Sequence, residues 1–183
     1  VCAKYIVLFI IFGAFLERTG ISNFFIDLAN SIAGSASGGP AKVAVLSSAL
    51  CGMVSGSSVG NTVTTGSITI PMMKKTGYKP EFAGAVEAAA STGGQIMPPI
   101  MGAAAFLMAE YVGEPFNYGK IALLAILPAV LYFTGIFIAV HLEAKKLGLK
   151  GIPRSQLPKM KDLMPKIYLL LPLVVLVWLV SSG

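Results

Sequence analysis

Hydrophobic positions in this chain fall into long apolar runs, and two of those runs are broken at their centres. The first, residues 43–73, reads VAVLSSALCGMVSGSSVGNTVTTGSITIPMM and holds no charged residue. One untilted membrane helix needs roughly 20 apolar residues, and two crossings with a turn need upwards of about 42. The 31 residues of this run lie between the two. That length predicts a helix in, a polar tip, and a helix back out, a re-entrant hairpin whose tip is SGSSVGNT at residues 55–62. Backbone that leaves the helix inside a bilayer is tolerated only where protein or a water-filled cavity supplies partners. The second run, residues 82–109, reads FAGAVEAAASTGGQIMPPIMGAAAFLMA, with Gly93-Gly94 and Pro98-Pro99 at its centre. Adjacent prolines remove two backbone donors and crowd the preceding turn, which predicts a discontinuous helix. Paired interruptions of this kind point to the binding site of a secondary transporter.

The remaining runs complete an all-α integral membrane chain. Residues 5–16 form an apolar helix closed by Glu17, Arg18, Thr19 and Gly20. Residues 21–34 place Phe24, Phe25, Leu28 and Ile32 at helical spacing, which fits either an interfacial helix or a packed amphipathic connector. GSASGGP is a loop, and its Pro40 suits the first position of the next helix. Residues 121–140 form a plain span, and residues 167–180 a last one, with Tyr168 and Trp178 near its ends as interfacial anchors. This divides the chain into a scaffold part (1–34), a transport segment (35–120) and a spanning part with a basic cytoplasmic loop at 141–166 (121–183). Lys74 to Lys79 and the basic loop are separated by two crossings if the broken helix spans, so both lie on one side, as the positive-inside rule requires.

Composition agrees. Only 12% of the 183 residues are charged and 55% are hydrophobic, against about 25% charged in soluble domains. The net charge of +6 comes from lysines between apolar runs, so nucleic acid is not the expected partner. The chain opens and closes within or beside apolar runs and is expected to be a segment of a longer permease. Cys2 and Cys51, in apolar surroundings without CxxC or Cys/His spacing, read as structural thiols, and His141 as an interfacial histidine.

The two breaks are rich in oxygen. The tip offers hydroxyls from Ser55, Ser57, Ser58, Thr62, Thr64 and Thr65 and the amide of Asn61, while Gly56 and Gly60 let carbonyls turn inward. Ser91, Thr92, Gln95 and carbonyls near Gly93, Gly94, Met97 and Pro98 add to them. Hard cations take oxygen ligands, and an oxygen cage without carboxylates suits a monovalent ion. Sodium is therefore expected at Ser55, Gly56, Ser57, Ser58, Asn61, Thr62, Thr92, Gly94 and Pro98, with a proton as the alternative coupling ion, and no transition metal. A carboxylate substrate is expected at Ser58, Asn61, Thr65, Gln95, Pro99 and Ile100, facing a helix N-terminus near Asn61. The competing reading of small residues is close helix packing, preferred for Ala88-Ala89-Ala90 and residues 102–105. Glu87, the one carboxylate within a hydrophobic segment, reads either as a proton relay or, preferably, as an ion pair with Lys74, Lys75 or Lys79. The tip lacks the Gly-Lys-Ser/Thr ending of a P-loop.

Ser55-Gly56-Ser57, Ile70-Pro71, Gly77-Tyr78 and Gly94-Gln95-Ile96-Met97-Pro98-Pro99, in this order and spacing, resemble the large membrane subunit of tripartite ATP-independent periplasmic (TRAP) transporters. The fused permeases served by TAXI-type binding proteins are the nearer likeness. The resemblance covers residues 43–105 and implies about one of two inverted repeats of an elevator-type carrier in a bacterial or archaeal cytoplasmic membrane. It further implies sodium-coupled uptake of an organic acid, delivered by a periplasmic binding protein, and a small membrane subunit or its fused equivalent. Ile100 stands where the family commonly has Ser, and Glu87 also departs from the commoner pattern. A sodium/dicarboxylate symporter without a binding protein, an intramembrane enzyme and a structural subunit are the alternatives; the enzyme reading has only Glu87 and His141 as candidate groups.

Overall fold

The computed structural model describes residues 2–182 except 115 and 117, with backbone alone for residues 2–6, 9 and 180–182. Regular structure among the described residues is entirely helical. Helix α1 (Cys2–Arg18) and α2 (Ile21–Ala33) lead into α3 (Gly39–Ser55), the element that touches most of the others. The chain reverses at Gly56 and Ser57 into α4 (Ser58–Lys75), then turns through Gly77 into α5 (Pro80–Gly93). A 3₁₀ turn (Gly94–Ile96) and an irregular stretch follow before α6 (Ala103–Val112). Helix α7 (Tyr118–Lys146), a short α8 (Met160–Leu163) and α9 (Leu171–Ser182) complete the chain.

The amphipathic segment after α1 is a packed connector. Ile21, Phe24, Phe25, Ile26 and Ala29 are buried, whereas Ile32, expected on the same stripe, is exposed. Phe24 and Phe25 join Leu16, Cys51, Val54 and Leu173 in one core. Pro40 occupies the second position of α3, where its missing N–H has no helical partner to lose.

The three helices α3, α4 and α5 pack as an antiparallel sheaf. Ser48 lies opposite Thr65 across the first turn, and Thr65 and Thr69 lie opposite Glu87 across the second. A second core, built from Ala41, Ala44, Val45, Met73, Tyr78, Ala83, Val86 and Ala90, ties the sheaf to Val140 and Ala144 of α7. The polar tip is narrower than its composition suggests. Residues 58–62 are already helical, because Ser57 accepts a hydrogen bond from the Gly60 N–H (3.2 Å) and so caps α4 four residues before Asn61.

The second interruption is where it was expected, between Gly93 and Ala103. The span expected at 121–140 is longer, taking in Tyr118 and running to Lys146, so the basic loop begins later. The last helix starts at Leu171 rather than 167; residues 164–170 are 3₁₀, and Pro172 in the first turn fixes the start.

Tyr118–Lys146 and Arg154–Leu179 are long and apolar enough to cross a membrane. Their outer faces are uncovered: Leu123, Leu124, Leu127 and Leu131 on α7 are exposed, as are Leu171, Val174 and Trp178 on α9. Contiguous apolar surface on this scale calls for lipid or further protein.

Candidate functional site

The reversal between α3 and α4 sits directly on the break between α5 and α6. Gly56 takes a left-handed conformation (φ 59°), and a Cβ there would lie 2.1 Å from the Met101 carbonyl oxygen. The Ile100 N–H donates to the Met53 carbonyl (3.3 Å), and Gln95 Nε2 reaches Ser58 Oγ at 3.4 Å. Deeper in, the backbones of α3 and the 3₁₀ turn touch at two glycines. A Cβ on Gly52 would stand 2.4 Å from Gly94 Cα, and one on Gly94 would stand 2.6 Å from Gly52 Cα. No side chain larger than hydrogen allows that approach.

Asn61 closes the junction. Its side chain is fully buried, its Nδ2 donates to the Ser48 carbonyl (2.8 Å), and that Nδ2 borders both glycines. Its Oδ1 is buried without a hydrogen-bond partner among the described residues. An orphaned buried oxygen is uncommon and calls for an unseen donor or cation. Nearer the surface, Ser55, Gly56, Ile100 and Met101 line a cavity of about 40 Å³, large enough for a water or a small ion. The break itself is held from the other side, where the Tyr118 hydroxyl donates to the carbonyls of Pro99 (2.9 Å) and Ile100.

The expected site residues divide accordingly. Ser55, Gly56, Ser58, Asn61, Gly94, Gln95 and Ile100 come together at the junction, while the Pro99 carbonyl is held by Tyr118. Pro98 lies in the break beside them, joined to Pro99 by a cis peptide bond. Ser57 caps α4 with its hydroxyl. Thr62 and Thr92 each donate a hydroxyl hydrogen to the carbonyl four residues earlier in their own helix, at 2.8 Å. Thr65, expected at the substrate, is instead fully buried and faces Glu87. Ile100 is also buried.

The ion pair expected for Glu87 is not formed. Lys74, Lys75 and Lys79 are exposed at the end of the sheaf, whereas Glu87 is fully buried inside it. Its Oε1 accepts from Ser48 (2.7 Å), Ser91 (3.1 Å) and Thr65, and its Oε2 from Thr69. Polar groups one turn apart make this possible, for Asn61, Thr65 and Thr69 share a face of α4 as Glu87 and Ser91 share a face of α5. Ser48 and Thr69 are the members that reading the two breaks alone does not reach. The i, i+4, i+8 spacing of Asn61, Thr65 and Thr69 is the signal that finds Thr69; no spacing within α4 reaches Ser48 on α3. The polar interior of the sheaf therefore holds a carboxylate, apart from the oxygens expected at the two breaks.

Cys51 is buried and free, as a structural thiol would be, while the Cys2 side chain lies outside those described.

The chain is 30% identical over 150 residues to the C4-dicarboxylate TRAP transporter large permease protein DctM of Pseudomonas aeruginosa, covering 81% of this chain and 34% of that protein. It is 28% identical over 173 residues to the isethionate TRAP transporter permease protein DctMQ of Oleidesulfovibrio alaskensis (92% and 26%). It is 25% identical over 176 residues to the sialic acid TRAP transporter large permease protein SiaM of Vibrio cholerae (96% and 40%). The chain thus spans at most two fifths of the length of these three relatives, all of them transport permeases and none an enzyme. Residues 2–183 match the family described as tripartite ATP-independent periplasmic transporter, DctM component, and the chain belongs to that family.

Proposed function

We propose that this chain forms part of the transport domain of a cation-coupled secondary carrier that takes up an organic acid delivered by a periplasmic binding protein. The observation that carries the reading is the contact of two interrupted elements. The α3–α4 reversal rests on the α5–α6 break through the Gly52–Gly94 backbone approach, beside an Asn61 oxygen that has no hydrogen-bond partner among the described residues. Helical proteins that carry solutes across membranes use such paired breaks as sites, since freed carbonyls and amides there need a ligand. The relatives' names supply the substrate class: a C4-dicarboxylate, isethionate and sialic acid are all acids.

In this reading α3 and α4 form a re-entrant hairpin, and the sheaf moves as a body against α7, α9 and further scaffold in an elevator mechanism. Sodium takes the Asn61 Oδ1 and carbonyl oxygens of the junction, and the substrate carboxylate meets the first turn of α4 and Gln95. The small membrane subunit, or its fused equivalent, and the remaining part of the permease belong to the scaffold in the cytoplasmic membrane. The test is uptake by the natural full-length permease in proteoliposomes, with its binding protein, using radiolabelled C4-dicarboxylates and other small organic acids. Accumulation that needs an inward cation gradient and the binding protein is expected. Accumulation unchanged without the binding protein means a stand-alone symporter instead, and none for any acid under any gradient means that the carrier reading is wrong.

A further inference from the structure

We infer that Glu87 is a reversible proton-binding site, a carboxyl group housed in a hydroxyl cage that completes its hydrogen bonds in both the charged and the neutral state. Four hydroxyls from three helices surround it: Ser48 of α3, Thr65 and Thr69 of α4, and Ser91 of α5. All four cage residues and the carboxyl are fully buried.

The hydrogens can be counted. A hydroxyl has one hydrogen to give and lone pairs to receive, an ionised carboxylate only receives, and a carboxylic acid gives one hydrogen. With Glu87 ionised, all four hydroxyl hydrogens point at its oxygens. Two of those hydroxyls have a backbone carbonyl as second acceptor: Thr65 Oγ1 lies 2.8 Å from the Asn61 carbonyl, and Thr69 Oγ1 3.0 Å from the Thr65 carbonyl, while Ser48 Oγ and Thr65 Oγ1 stand 3.1 Å apart. When a proton arrives on Oε2, the new O–H gives to Thr69 Oγ1, and the Thr69 hydrogen turns to the Thr65 carbonyl. Ser48 and Ser91 continue to serve Oε1, while Thr65 serves either Oε1 or its own helix. The reaction is carboxylate plus one proton giving carboxylic acid, with no bond broken and no other reactant. Only hydrogens reorient. A carboxylate serving as a fixed structural anion would instead be expected beside a cation, because a bare buried charge is costly.

Among the described residues, no cation stands beside it. Of the titratable groups on the helices packed against Glu87, α3 carries Lys42 and Cys51. The Lys42 ammonium lies over the Phe137 ring (5.3 Å), and the Cys51 thiol is buried with its sulfur 4.0 Å from the Ser22 carbonyl. Helix α4 carries Lys74 and Lys75, both exposed, and α5 itself carries exposed Glu81. On α7 the Tyr132 hydroxyl donates to the Ala89 carbonyl (2.9 Å), Tyr118 holds the break, Lys146 pairs with Glu143, and Lys120, His141 and Lys145 complete the set. The 3₁₀ turn carries none.

The cage is joined to the junction by one residue. Ser48 holds Glu87 with its hydroxyl and the Asn61 amide with its carbonyl, so proton occupancy is felt one residue from the unpartnered Asn61 oxygen. The inference rests on the carrier reading only for its purpose, coupling; the site itself is tested without transport.

The experiment is infrared difference spectroscopy of the natural full-length permease in lipid nanodiscs between alkaline and acid pH, in potassium and in sodium salts. A carboxylic-acid C=O band that grows as pH falls, shifts in heavy water, is lost in Glu87→Gln and is the same in both salts is expected. Ser91→Ala removes a donor to Oε1, the carbonyl oxygen of the neutral acid, so the C=O band should move to higher frequency than in the wild type; this comparison serves if Glu87→Gln does not fold. A band unchanged in folded Glu87→Gln overturns the inference. So does a band frequency unmoved in Ser91→Ala, or a band abolished by sodium at fixed pH, which would make the cage a metal-ion site. Failure of uptake leaves these spectra unaffected and bears on the carrier reading alone.

Discussion

The α3–α4–α5 sheaf and the long helix α7 invert each other's pattern. In the sheaf, Ser47, Ser48, Asn61, Thr65, Thr69, Glu87 and Ser91 are buried, and glycines bring backbones into contact. On α7, leucines at 123, 124, 127 and 131 face outward. A chain folded in water would place these groups the other way round. The difference shows that two kinds of surroundings shaped the chain. The sheaf satisfies polar atoms internally, as backbone and hydroxyls must where water is absent. The outer face of α7 needs only an apolar surrounding.

The sharpest way to break this contrast is Gly52→Val. Its side chain would press on the Gly94 backbone, which cannot rotate away, and overpacking of this kind costs upwards of ~3 kcal/mol. The purified full-length protein should lose its cooperative thermal transition or melt far lower; a Tm within a few degrees of wild type would mean the two breaks do not touch.

Leu131→Arg tests the other region. A charge near the middle of a spanning helix costs about 3 kcal/mol in membrane insertion, so α7 should insert poorly in a glycosylation-mapping assay. Insertion equal to wild type would remove α7 from the bilayer.

Ser48→Ala comes next. It takes a donor from the buried Glu87 carboxyl, a bond to a charged group worth about 2 kcal/mol when that group is ionised. The full-length protein should melt several degrees lower, and the loss should shrink when Glu87→Gln is already in place. An equal loss with and without Glu87→Gln would mean that Ser48 does not act through the carboxyl.

Tyr118→Phe acts where the two regions meet. It removes the donor to the Pro99 and Ile100 carbonyls, for about 1 kcal/mol, and should raise hydrogen exchange in the break while leaving α3 and α4 protected. Leu131→Ala should do least, under ~0.5 kcal/mol, since the side chain touches little of the protein. A large effect there would reveal a packed partner on that face of α7.

Much of the architecture was legible in the sequence because bilayer physics leaves few choices. Uncharged length set the spans, and Gly93-Gly94 with Pro98-Pro99 set the second break. The tip was less legible. A run of Ser, Gly, Asn and Thr reads as irregular chain, yet the Ser57 cap starts a helix at once, and the hydroxyls of Thr62 and Thr64 turn back onto it. Thr65 was assigned to substrate for the same reason, and it faces a carboxylate instead.

What the sequence determined by itself, then, is an apolar chain with two interruptions and the residue types gathered there, since these follow from local composition and backbone sterics. Only the tertiary structure decided which oxygen faces which. Glu87 is a lone carboxylate in an alanine-rich run when read along the chain, and its partners Ser48, Thr65 and Thr69 lie 39, 22 and 18 positions away. Helix rotation and the Gly52–Gly94 approach bring them together, and both are properties of packing between elements that no single stretch of sequence carries.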